Sequence, residues 1–327
     1  MSVVITGSLA FDYLMSFPGY FKDHILLEKI ETVSLSFLVD SMRKQRGGCA
    51  SNIAYNLALL GERPLVMATA GQDFAETRAW LESVGVDTSG ILEIADEFTA
   101  SFFVSTDRAN NQIASFYTGA MSYAHQLSFR DLPRQSISMA VISPNDPRAM
   151  VKYPLECQEL GIPYMYDPSQ QIVRLEGPDL LTGARGAEIL ISNDYEFGML
   201  SRKTGLPREE ILGLARVSII TDGERGSLIV PRGEEAVAIP AVPPTRLADP
   251  TGVGDAYRAG VLKGLRRGYG WPFTGRMASL AATYALEENG TQNHHYTLEE
   301  FAGRFEEVFG PAPELADLRR SGPAARG

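Results

Sequence analysis

The chain has 327 residues, 44% hydrophobic and 21% charged, a balance that belongs to folded globular proteins and excludes a disordered tract or a fibre. A formal net charge of −10 and a pI near 5.0 argue against nucleic acid or an anionic membrane surface as partner, which leaves small molecules. The two cysteines, Cys49 and Cys157, lack paired Cys or His spacing and support neither a disulfide framework nor a zinc site. With no apolar run of membrane-spanning length and no signal-peptide pattern at the N-terminus, a cytoplasmic protein is expected.

Residues 3–8 form an apolar stretch closed by Gly7-Ser8 and read as the first, buried strand of a parallel sheet. Asp12 comes four residues after Ser8 and carries two acceptor oxygens, which suit a pair of vicinal hydroxyls. After Gly47-Gly48, residues 49–60 place Ile53, Leu57 and Leu60 at helical spacing and stop at Gly61. A strand at 65–68, a helix at 74–84 ended by Gly85, and a strand at 139–142 continue the alternation. A helix at about 150–160 with Gly161 behind it follows, then strands at 164–166 and 188–191, a helix from Tyr195 and a strand at 217–221.

Strands and helices trading places through short connections predict an α/β fold, doubly wound around a mostly parallel central sheet, with ligands beyond the carboxyl ends of the strands. Two segments, 12–42 and 98–119, carry short β-like runs without helices. They are expected to make one small sheet, a lid over a site in the large domain formed by 1–11, 43–97 and 120–327. The tail from about Pro313 is expected to fray.

The run Thr251-Gly252-Val253-Gly254-Asp255 puts a glycine-rich turn and one acid where a helix begins. Gly252 and Gly254 let backbone N–H groups approach an anion, and the positive end of the helix points at the same spot. Asn193 and Glu196, spaced i, i+3 at a helix start, share a face near a strand end. Read alone they are a helix cap and a solvated acid. Between Thr221 and Gly226, Gly223 and Gly226 allow a tight turn after a strand, as an ordinary hairpin would also require.

Together these motifs resemble the ribokinase-like (phosphofructokinase B) carbohydrate kinase family, and within it the mycobacterial-type adenosine kinases. General marks are Gly47-Gly48 followed by Asn52, Asn193-Asp-Tyr-Glu196, the Thr221–Gly226 turn and the Thr251–Asp255 run. Marks of the subtype are Val33-Ser-Leu-Ser-Phe-Leu-Val-Asp40, Gln112-Ile-Ala-Ser-Phe-Tyr117, Asp167-Pro-Ser-Gln-Gln171 and the whole stretch from Asp249 to Gly260. The resemblance covers nearly the whole chain. It implies an ATP-dependent nucleoside kinase, adenosine + ATP → AMP + ADP, with the large domain binding nucleotide and carrying catalysis. Asp255 would be the general base, and the amides of Gly252, Val253, Gly254 and Asp255 an anion hole.

The resemblance further implies magnesium, oriented through water by Glu196, with Asn193, Thr221, Gly223, Gly226, Thr251 and Asn289 around ATP. It leaves room for a potassium-like ion, with Asp249 as the acid of that site. For the acceptor it assigns Asp12, Gly48 and Asn52 to the ribose, with Ser8 and Ser36 lining the same pocket. Phe102 and Phe116 would stack the base, with Gln170, Gln171 and Arg174 nearby. A homodimer through the lid strands is also implied. Two other readings stay open: a ribokinase-type sugar kinase in which both rings only pack the lid, and a catalytically silent nucleoside-binding protein. The commoner family pattern, Asp-Thr-Thr-Gly-Ala-Gly-Asp before Ala-Phe and two small residues, is changed here by Pro250, Tyr257 and Arg258. Arg258 would reach either a phosphate or a surface salt bridge.

Overall fold

The computed structural model describes residues 2–25, 31–32 and 34–320. Residues 26–30 and Val33 of the expected lid, and 321–327 of the expected fraying tail, lie outside the described residues.

Eight strands form the central sheet, in the order Val237–Ile239, Ser227–Pro231, Val217–Thr221, Ile189–Asn193, Tyr164–Tyr166, Ile137–Ile142, Ser2–Thr6 and Leu65–Val66. The six from Val217–Thr221 to Leu65–Val66 run parallel, and an antiparallel hairpin closes the other edge. Parallel strands are covered on both faces and so read as unbroken apolar runs. Their alternate residues feed two cores. Ile5, Val141, Ile191 and Ile219 face the helices Cys49–Leu59, Val253–Arg267 and Trp271–Leu286. Val4, Ile142, Leu190 and Ile220 face Pro147–Leu160, Gly177–Ala184 and Asp194–Thr204.

The order of the sheet reverses beside the first strand, which has Leu65–Val66 on one side and Ile137–Ile142 on the other. At such a switch point the connections leave in opposite directions and open a crevice at the carboxyl ends. Ser8, Asp167, Asn193 and Thr221 all stand at those ends.

A separate four-stranded sheet has the order Ser41–Gly47, Ala10–Ser16, Ala100–Thr106, Gln112–Tyr117. Its strands begin at Ala10 and run on to Gly47, a few residues past the 12–42 span on either side. The register pairs Asp12 with Phe102 and Phe102 with Phe116, which puts the three side chains in one transverse row on one face.

Two expectations are corrected. The apolar run at 65–68 is two strands: Met67 still donates its N–H to Ile5 O at 2.9 Å, and then Ala68–Gly71 turns to pair with Ile91–Ile94 in a small sheet of its own. The tail from Pro313 carries a helix, Glu314–Arg320, whose Leu315 and Leu318 are fully buried against the cluster around Phe301 and Phe305. Two leucines at helical spacing are enough to dock it. Among the described residues no helix is long and apolar enough to cross a membrane.

Candidate active site

A cleft of 1200 Å³ opens over the carboxyl ends of the central sheet, lined by the small-sheet row of Asp12, Phe102 and Phe116 and by the 251–255 turn. It collects most of the residues singled out above. Ser8, Gly48, Asn52, Gln170, Gln171 and Arg174 line it, as do Asn193, Glu196, Thr221, Gly223, Gly226 and Thr251. Three expected residues are not in the lining: Ser36 and Asn289, which are exposed, and Asp249.

Helix Val253–Arg267 starts from Gly252, whose φ of 80° lies in the left-handed region that favours glycine, and no side chain caps it. Its first amides lack an intrahelical acceptor, Val253 N making only a long 3.5 Å contact to Pro250 O, and a helix start left open in this way beside the cleft suits an anion. Asp255 sits in that first turn and accepts a hydrogen bond from Asn52 Nδ2 at 2.9 Å. Burial pushes its carboxyl from the usual 3.8 to about 7. Arg258 and the Asn52 bond oppose the rise, while Asp167 and Asp12 add to it. A carboxyl balanced near neutrality beside an anion-accepting turn can take a proton from a hydroxyl held there.

Arg258 takes neither of its expected positions on a phosphate or the surface. It is 6% exposed, donates from Nη2 to Asp167 Oδ1 at 2.6 Å, and rests Nε against Oδ2. Burial opposes its charge, but the adjoining Asp167 carboxylate keeps it protonated. Burial likewise raises the Asp167 carboxyl and Arg258 pulls it back down. The guanidinium lies over Gly254, where a Cβ would stand 2.7 Å from Nη1, so the second glycine of the turn is also needed for space.

From the small sheet, Asp12 leans across Gly47, where a Cβ would come within 2.5 Å of Oδ2. Burial, then the Asp249 charge, lifts the Asp12 carboxyl to about 6. Ser8 Oγ accepts from the Cys49 amide at 3.1 Å and so fixes the start of the helix that carries Asn52. Gln171 borders the cleft and is buried, and its Oε1 has no hydrogen-bond partner.

Asn193 and Glu196 form a capping box, Asn193 Oδ1 accepting from Glu196 N and Glu196 Oε2 from Asn193 N, each at 2.8 Å. Ser169 Oγ donates to Glu196 Oε1 at 3.0 Å. The cap and the cleft-lining position coexist. Among the described residues no group of three His, Cys, Asp or Glu could hold a metal directly. A lone, hydrogen-bonded carboxylate fits a hydrated magnesium ion met through its water. Asp249 accepts from Thr251 N at 2.9 Å and Gly290 N at 3.0 Å, so its two oxygens tie the glycine turn to the segment after helix Trp271–Leu286.

Sequence reasoning missed the apolar end of the cleft, built from Val242, Pro243, Pro244 and Leu247 with Ala282 and Leu286. Such a slot accepts a flat aromatic base. Its only sequence signal is a proline-rich apolar loop, Pro240-Ala-Val-Pro-Pro244, which has no polar residue to mark it.

Residues 13–297 match the family model for pfkB family carbohydrate kinases. The chain is 31% identical over 324 residues to a nucleoside kinase of Methanothermobacter thermautotrophicus, covering 96% of this chain and 98% of that protein. Its structure is similar to that of a Burkholderia thailandensis nucleoside kinase in complex with inosine, with a TM-score of 0.86 and 35% identity over 95% of this chain and all of the other. The complex of that kinase with ADP-inosine superposes with a TM-score of 0.83 at 35% identity, covering 100% of this chain and 99% of that one. With matches spanning nearly its whole length, the chain belongs to the pfkB family of carbohydrate kinases, phosphotransferases that act on a hydroxyl group.

Proposed function

We propose that this protein is an ATP-dependent nucleoside kinase that transfers the γ-phosphoryl group to the 5′-hydroxyl of adenosine, giving AMP and ADP, a purine-salvage reaction. The observation that carries the reading is the lid row: Asp12, Phe102 and Phe116 stand side by side on one face of a sheet that borders the cleft. A carboxylate next to two aromatic faces matches a ribose diol next to a base, since each ring offers a flat face on which a base can stack. Similarity to nucleoside kinases over nearly the whole chain supports the same class.

In this reading Asp255 accepts the proton of the attacking hydroxyl, and the amides from Gly252 to Asp255 receive the transferred phosphoryl oxygens. Asp12, Gly48 and Asn52 hold the ribose, with Ser8, Gln170, Gln171 and Arg174 around the nucleoside. Asn193, Thr221, Gly223, Gly226 and Thr251 border the ATP phosphates and ribose, while the apolar end takes the adenine. Magnesium, met through water by Glu196, neutralises phosphate charge when bound. A monovalent cation at Asp249 would have to share a carboxylate whose two oxygens each accept a backbone amide.

The protein would work in the cytoplasm, beside its ATP, as a homodimer joined at the lid. The support for the dimer is the outer strand Gln112–Tyr117, exposed along its length, with Ile113 and Tyr117 bare. Product assays with adenosine, inosine, guanosine, ribose and fructose test the function. Adenosine is expected to exceed ribose in kcat/KM by at least about tenfold, the worth of one stacked ring. Preference for ribose or fructose overturns the reading, and preference for inosine corrects the base alone.

A further inference from the structure

The amide of Asn52 has two ends, and what it offers Asp255 depends on which end is turned toward the carboxylate. Three side chains in series decide this. Trp80, on helix Ala75–Ser83, has an indole N–H that can only donate, and it donates to Gln292 Oε1 at 3.2 Å. The oxygen of Gln292 is thereby committed to Trp80, so Nε2 faces the other way and donates to Asn52 Oδ1 at 3.0 Å. Asn52 is left with its amino group toward Asp255, and Nδ2 donates to Oδ2 at 2.9 Å. Asn52 and Gln292 are only 4% and 3% exposed, so water compensates a reversed amide poorly.

The segment carrying Gln292 is pinned to helix Cys49–Leu59 at further points. Asn56 Oδ1 meets His294 Nε2 at 2.7 Å and Tyr55 OH donates to His294 O, while within the helix Asn56 Nδ2 donates to Asn52 O at 2.9 Å. The Tyr55 ring stacks on Trp80 with centroids 6.0 Å apart. Neither Trp80 nor Gln292 lines the cleft, so both reach Asp255 only through Asn52.

We propose that Trp80 and Gln292 are positioning residues: a donor-only indole, acting through two amides, fixes an N–H on the Asp255 carboxylate and keeps it ready to accept a proton. The proposal rests on Asp255 being the base. The charged and titratable groups that face Asp255 are Arg258 from its own helix, Asp167 after the strand Tyr164–Tyr166, Asp12 from the lid and Cys49 from helix Cys49–Leu59. Arg258 and the Asn52 bond favour the ionised form, Asp167 and Asp12 oppose it, and only the Asn52 bond is under the control of the relay.

The test compares Gln292→Met, Trp80→Phe and Asp255→Asn with the parent chain, following ADP release with adenosine from pH 5 to 9 and melting temperature alongside. Gln292→Met should move the acid limb of kcat/KM upward, so that its rate at pH 6 falls by about 5-fold more than at pH 8.5, as expected on weakening one hydrogen bond to a charged group. Trp80→Phe should move it the same way by less, and decides alone if Gln292→Met does not fold. An unmoved limb, or a loss equal at every pH, overturns the relay while Asp255 stays essential. Near-normal turnover in Asp255→Asn overturns the base assignment and the relay together, so the two failures are distinct.

Discussion

Replacing Asp255 by Asn separates a catalytic carboxyl from a structural one, because the two roles predict opposite signs. As the base, Asp255 is missed in the transition state, and kcat should fall by about 100- to 10,000-fold. Folding should respond the other way. In the unfolded chain this carboxyl ionises near 3.8, whereas the fold holds its proton until about 7, with burial the leading cause. Folding therefore takes up a proton between those values, so stability is lost as pH rises from about 4 to about 7 and is not regained above. The difference corresponds to roughly 4 kcal/mol, of which about half remains for a side chain that shares the cleft with water. Asn removes that penalty and keeps a hydrogen bond, since its amide oxygen can accept from Asn52 Nδ2. The variant should gain about 2 kcal/mol over the parent at pH 8, roughly 3 °C in melting temperature for a chain of this length, and almost nothing near pH 4. Initial rates of ADP release and calorimetry at both pH values decide it. Near-normal turnover, or a lower melting temperature at pH 8, refutes the argument.

In the parent chain, kcat/KM should fall about tenfold per pH unit below about 7, as the raised Asp255 carboxyl takes up its proton; a profile flat down to pH 5 contradicts this. Arg258→Met leaves Asp167 buried and unpaired and should destabilise by about 3–5 kcal/mol in urea unfolding. The double change Asp167→Leu with Arg258→Met should recover most of that loss. Phe102→Ala and Phe116→Ala should each raise KM for adenosine by about 5- to 150-fold, equivalent to about 1–3 kcal/mol per stacked base, with kcat much less affected. Leu315→Ala, in the C-terminal helix, should lower stability by about 2–4 kcal/mol without changing KM.

Much of the frame was legible because its signals are local. Buried parallel strands announce themselves as apolar runs, and Gly61, Gly85 and Gly161, all with positive φ, stop the helices where they were expected to stop. The glycine turn and its acid are adjacent in sequence, so their chemistry could be read together. Features that depend on distant partners were hidden. Asp167 and Arg258 are 91 positions apart, and nothing around either residue announces the other. Asn52 alone was legible only as a polar helix residue, its ribose role being implied by the resemblance, and its bond to Asp255, 203 positions on, was hidden. The apolar wall was silent for another reason: Val242 and Pro243 are ordinary loop residues until helix Trp271–Leu286 lies against them. The tail misled because its Pro, Ala and Gly content outweighed two leucines whose docking surface lies on another helix.

The guanidinium clasped over Gly254 has a consequence for how such chains diverge. Losing Arg258 alone strands the Asp167 anion, losing Asp167 alone leaves the cation only Asp255 and Glu196 nearby, and a side chain at position 254 must push the guanidinium aside. Descendants of this sequence can leave the arrangement only by changing positions 167 and 258 nearly at once. The three sites should be inherited as a block, and lineages with a small residue at 258 should have an uncharged one at 167.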